Sequence, residues 1–142
     1  MPVRFRGIDG DTYNVARAVI TASVNLVGTS SAGATTAITT GAFTVDNPGT
    51  FEVVVFTPQL TRGTTNLDIE LWDGATLLTS LTGHYTAAVP ILPVTMLALV
   101  TLAAGGHNLA VKGFVDAGTG VFGAGNGATG NAPNAFITVQ PT

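Results

Sequence analysis

Carboxylates, imidazoles, hydroxyls and one indole are the chemistry-bearing groups of this chain, and their spacing limits what they can do. Asp68, Glu70 and Asp73 lie close together in an otherwise apolar stretch. On a strand, Asp68 and Glu70 share a face about 7 Å apart. That spacing is open to a calcium ion or to a carboxylate pair acting on a glycosidic bond. It is also the outward alternation of any solvated strand. Trp72 continues the same outward series and is the stronger candidate for an interface or sugar-stacking anchor. His84 and His107 could each join an acid in a metal site or a triad. Ligand-type spacing is missing, however, and there is no cysteine to complete a zinc set. Ser23, Ser30, Ser31 and Ser80 occupy no nucleophile elbow and have no base at a readable offset.

Gly125-Asn-Gly127-Ala-Thr-Gly130 spells the dinucleotide fingerprint. Its mechanism needs a helix N-terminus behind the third glycine. Asn131-Ala-Pro-Asn134 and an extended segment follow instead, so the match is a loop. No catalytic residue, no cofactor-binding residue and no metal ligand is assigned, and the chain is not expected to be an enzyme.

The elements that position these groups are strands. Val94–Leu102 alternates Val94, Met96, Ala98, Val100 and Leu102 against Thr95, Leu97, Leu99 and Thr101, apolar on nearly both faces. Ala103-Ala-Gly-Gly106 follows, and His107–Val115 alternates again, which predicts a central hairpin. Val15–Val27 predicts one long strand, with Ala16, Ala18, Ile20, Ala22, Val24 and Leu26 on its core face. The segment from Gly28 to Thr40 predicts a loop with at most a short strand. Asp46-Asn-Pro-Gly49 separates Ala42–Val45 from Phe51–Thr57, which Pro58 is expected to end. Leu67, Ile69 and Leu71 point inward, and Asp73-Gly74 turns into Ala75–Leu81 as a second hairpin. His84–Val89 reads as a short linking strand, Gly118–Asn134 as a long loop around Val121, and Ala135–Val139 as a closing strand. No helical period appears anywhere, so the fold class is all-β: a two-sheet antiparallel sandwich of jelly-roll type.

Composition agrees with a single domain of 142 residues. Charged residues are 9% of the chain against roughly 25% in ordinary soluble domains, while hydrophobic residues reach 46%. A surface so poor in charge favours life in an assembly. The net charge of −3 and the lack of a basic patch argue against direct nucleic-acid contact. Ala87–Ala104 carries no charge, but Pro90, Pro93 and the strand alternation after them argue against a membrane span. The first residues have no apolar signal-peptide core, so host cytoplasmic synthesis without a signal is expected. Residues 1–14 concentrate Arg4, Arg6, Asp9 and Asp11 and read as an extended arm, separate from the sandwich of 15–142. In that arm Arg4, Phe5 and Arg6 are candidate partner contacts, together with Trp72.

Three stretches carry a resemblance: Leu67-Asp-Ile-Glu-Leu-Trp-Asp-Gly-Ala-Thr-Leu-Leu78, Leu102-Ala-Ala-Gly-Gly-His-Asn-Leu-Ala-Val-Lys-Gly113 and Ala135-Phe-Ile-Thr-Val139. They resemble the later strands of tumour-necrosis-factor-like jelly rolls found in phage virion proteins, among them the capsid decoration (cement) proteins of tailed phages. The resemblance implies a homotrimer with apolar strands facing its axis, here Val94, Met96, Leu97, Leu99 and Phe114. It further implies a structural protein on the outside of a virion, with the major capsid protein as partner. The alternative it leaves is a trimeric receptor- or glycan-binding head of a tail fibre.

Overall fold

A computed structural model describes residues 15–61, 66–81, 92–125 and 133–142. Among these the chain is all-β, with one 3-10 turn at Ser31–Gly33. The strands are β1 (Ala16–Ile20), β2 (Ala22–Leu26), β3 (Thr35–Thr39), β4 (Phe43–Val45), β5 (Gly49–Thr61), β6 (Leu67–Asp73), β7 (Thr76–Ser80), β8 (Leu92–Leu102), β9 (Gly105–His107), β10 (Leu109–Val115), β11 (Gly120–Gly125) and β12 (Ala135–Pro141). Every pairing is antiparallel. This is the antiparallel sandwich that the alternating sequence predicts.

The larger sheet is organised on β5. Its one edge pairs β8 along most of its length, and its other edge pairs β12 first and β11 beyond. β1 then pairs β12 and β2 pairs β11. The smaller sheet runs β3-β10-β6-β7, and β4 with β9 makes a separate two-stranded ribbon. Val53 and Val55 of β5, with Ile137 and Val139 of β12, fill the interior from the larger sheet. Ile69 and Leu71 of β6, with Leu109 and Val111 of β10, fill it from the smaller. Burying each such side chain stabilises the fold by about 1.5–3 kcal/mol before ordering costs. That apolar core needs no disulfide, and the chain has no cysteine.

Several expectations are corrected. The hairpin of Val94–Leu102 with His107–Val115 does not form, because β8 pairs β5 in one sheet while β10 lies between β3 and β6 in the other. The Gly105-Gly106 step belongs to β9, which pairs β4 and carries the chain across between the sheets. Alternation gives each strand's faces correctly but is silent on its partner. Residues 15–27 are two strands, broken by a bend at Thr21 so that β1 and β2 follow different partners. Nor does Pro58 end β5. The strand continues to Thr61 through a register shift between Thr57 and Leu60. A proline lacks the ladder donor and is tolerated at such a bulge. There the buried Thr57 hydroxyl sits 2.8 Å from the Gly123 carbonyl and accepts from the Gln59 amide. A Cβ on Gly123 would stand 2.6 Å from the Gln59 Cβ, so β11 can meet the bulge only through glycine.

The hairpin β6–β7 is as expected, with Gly74 at a φ of 56° in its turn. The inward set of β8, Met96, Ala98, Val100 and Leu102, is buried, and Thr95, Leu97, Leu99 and Thr101 are exposed. Residues 92–102 are strand, and no helix among the described residues is long and apolar enough to cross a membrane. Arg4, Phe5, Arg6, the linking strand expected at His84–Val89 and residues 126–130 of the glycine motif lie outside the described residues.

Candidate functional site

One end of the sandwich carries an open hollow of about 430 Å³. Two elements build it. The β4–β9 ribbon supplies Phe43, Thr44, Gly106 and His107, and the β6–β7 turn brings Asp73 beside Asn108. Asp73 sits where it does because Asp-Gly is the turn pair of a tight hairpin. His107 sits where it does because β9 must align with β4, setting Phe43 opposite it.

The polar groups are tied into one network. The Asp73 carboxylate accepts from the Asn108 backbone N–H at 3.0 Å and lies 2.6 Å from His107 Nδ1. Gly74 N–H donates to the Asn108 carbonyl at 3.1 Å, closing the turn against the strand. Thr39 donates to Asn108 Oδ1 at 2.6 Å. The Phe43 and His107 rings are 5.8 Å apart and tilted by 37°, so aromatic surface flanks the carboxylate.

His107 Nε2 meets the Ala103 carbonyl at 2.9 Å. Both ring nitrogens therefore face oxygen acceptors, and both can donate only in the imidazolium form. Burial pulls the His107 pKa down, but the hydrogen bonds to Asp73 and Ala103 and the charge of Asp73 push it up further, and the net shift is upward. The ion pair thus pins the Ala103–His107 crossover to the β6–β7 turn.

This His–Asp pair has the form of half a catalytic triad, but its second nitrogen, which would take a nucleophile's proton, is already committed to Ala103. The same commitment leaves no lone pair for a metal. Among the described residues no group of three His, Cys, Asp or Glu side chains could hold one.

Asp68, Glu70 and Trp72 end up on the outward side of the smaller sheet. Glu70 is not the solvated carboxylate that its outward position suggests. It is 5% exposed and accepts from Ser31 Oγ at 2.9 Å and Trp72 Nε1 at 3.0 Å. Trp72 is half-buried, and Lys112 Nζ stands 4.4 Å from its ring centroid. One face of the indole thereby carries Lys112, and the aromatic ring at the hollow is Phe43. Of the residues expected at a subunit contact, Met96 is core and Val94 and Phe114 are half-buried, while Leu97 and Leu99 are open.

The sequence singles out Asp73 and His107 separately and misses Phe43, Thr39 and Asn108. Asp-Gly and Gly-Gly-His-Asn are both visible as turn signals. What brings them together is a contact between two turns far apart in the chain, which no local pattern encodes.

No protein-family model matches the sequence, and no curated protein matches it. Among solved structures the chain is similar to two β-sandwich modules. One is the carbohydrate binding module from Cellvibrio mixtus lichenase 5A, solved in complex with cellotriose, at 14% identity. That match covers 92% of this chain and 99% of the module, with a TM-score of 0.47. The other is the C-terminal CBM6 of LamC, a marine laminarinase from Zobellia galactanivorans, at 11% identity, 89% and 90% coverage and a TM-score of 0.45. Both are carbohydrate-binding modules and neither is a virion protein. The resemblance to tailed-phage capsid decoration proteins, and the shell-clamping role expected from it, are corrected here: the solved structures that the chain is similar to are carbohydrate-binding modules, and the likeness is one of fold alone.

Proposed function

We propose that this chain is a non-catalytic glycan-binding domain whose site is the hollow between the β4–β9 ribbon and the β6–β7 turn. The observation that carries this reading is the composition of that hollow: an aromatic ring, Phe43, beside the hydrogen-bonding groups of Asp73, Asn108 and Thr44. A sugar ring has an apolar C–H face and an edge of hydroxyls. It is matched by an aromatic surface next to a carboxylate and an amide held in fixed positions. Asp73 and Asn108 are so held, since each is hydrogen-bonded to its surroundings before any ligand arrives. The hollow is open and shallow, suited to a chain running past it or to a terminal sugar, and its volume lies in the range of small-molecule sites.

The test is calorimetric titration with the soluble oligosaccharides selected by a glycan array. Binding is expected for the wild type. Asn108→Ala should weaken it up to about tenfold with a thermal midpoint close to wild type, and Phe43→Ala, whose ring also packs against the core, should weaken it by a similar factor when measured well below its lowered midpoint. No reducing ends should be released on prolonged incubation. Absence of binding across the array, or unchanged affinity in Phe43→Ala, would overturn the reading.

A further inference from the structure

The outward side of the larger sheet presents a second surface, made of different residues. Directly opposed residues of antiparallel strands share a face. The register therefore aligns Leu97, Val54, Thr138 and Arg17 in one row across β8, β5, β12 and β1. Thr95, Phe56, Phe136 and Val19 form the next row, and Leu99, Glu52 and Gln140 the row on the other side. Leu97 is 59% exposed, Leu99 62% and Val19 45%. Phe56 and Phe136 stack at 5.4 Å between them. A contiguous apolar patch spanning four strands is what marks an interaction surface on a soluble domain.

Arg17 and Glu52 are the ionisable side chains in these rows. They sit on opposite sides of the apolar centre, with Arg17 on β1 and Glu52 on β5 next to the β8 edge. A face with one positive and one negative side about an apolar middle is complementary to itself. Turning a second copy about a two-fold axis through the middle sets apolar rows on apolar rows and brings each Arg17 toward the opposite Glu52. Docking on the outward side of the smaller sheet would instead oppose these leucines to Glu70, Trp72 and Lys112, whose polar groups are already engaged with one another. We infer that the outer face of β8, β5, β12 and β1 is a two-fold self-association surface whose occupant is a second copy of this chain. The hollow uses none of these strands, so both copies of the dimer keep theirs open.

Sedimentation velocity from low micromolar to submillimolar concentration tests this without any glycan, so its failure is separate from failure of the glycan-binding reading. The wild type should sediment as a dimer. Leu97→Ser with Leu99→Ser should weaken the dimer about a hundredfold, and Arg17→Glu or Glu52→Arg alone about tenfold. Arg17→Glu combined with Glu52→Arg should restore wild-type association, an outcome that a merely stickier or less folded surface would not give. A wild-type monomer at all concentrations, a trimer, or charge reversals that simply add would each overturn the proposal. So would a wild-type monomer whose serine variant unfolds earlier, since that assigns the face to another segment of the same chain.

Discussion

The two outward faces of the sandwich use the same backbone periodicity to opposite ends. On the smaller sheet, β6 and β10 turn Glu70, Trp72 and Lys112 outward, and the three engage one another until the carboxylate is almost wholly buried. On the larger sheet, β8 and β5 turn Leu97, Leu99, Val54 and Phe56 outward, and among the described residues no layer covers them. Outward position therefore does not determine exposure. A polar side chain with two partners on its own face becomes structural, whereas an apolar one at the same kind of position stays available for something outside the chain.

The largest effect that can break this contrast is expected at Glu70. Glu70→Ala leaves the Trp72 indole N–H and the Ser31 hydroxyl without their acceptor, at a cost of about 1–3 kcal/mol. Chemical denaturation should show the loss, and Glu70→Gln should recover part of it. A Glu70→Ala protein as stable as wild type would make this carboxylate an ordinary surface group after all.

The next effect belongs to pH. The His107 pKa is raised in the folded chain, so the stabilisation from its ion pair is fully present below the unfolded value near 6.5. It is lost as pH rises through the higher folded value. Thermal midpoints should therefore fall across that window in the wild type and stay flatter in His107→Gln. An imidazole titration followed by NMR would place the folded value directly, and a pKa below 6.5 would contradict the doubly donating ring.

The smallest effect is expected on the apolar face. Leu97→Thr and Leu99→Thr should change the unfolding free energy measured at concentrations below association by no more than about 0.5 kcal/mol each. A larger loss would show that these leucines pack within a single chain.

How far the sequence carried the fold can be seen strand by strand. Met96 inward and Leu97 outward, Ile69 inward and Asp68 outward, and the Asp73-Gly74 turn were all legible, because side-chain alternation and turn chemistry are local. The partners of β8 and β10 were not, because two strands joined by a glycine-rich turn can pair or can part into separate sheets with the same alternation. The candidate site shares that blindness. Asp73 and His107 each looked like an ordinary turn residue, and only the crossing of β9 against β4 sets them 2.6 Å apart. The burial of Glu70 was hidden for a related reason, since its acceptor role depends on Ser31, thirty-nine positions away.

The placement of β12 between β5 and β1 has a consequence for how the molecule comes into being on the ribosome. β5 can zip to β8 once residue 102 has been made, but its other edge must wait for residues 120–125 at Gln59–Thr61 and for residues 135–141 at Phe51–Phe56. β1, although made before β5, waits equally long, because its partner is that same late strand. During the interval a nascent chain carries an unpaired edge along Phe51–Phe56, rich in valine and phenylalanine, the kind of edge that recruits neighbours. Pairing over such sequence separation is intrinsically slow. Yield in the cell should therefore depend on translation speed through the glycine-rich stretch before β12 and on how closely ribosomes follow one another along the message.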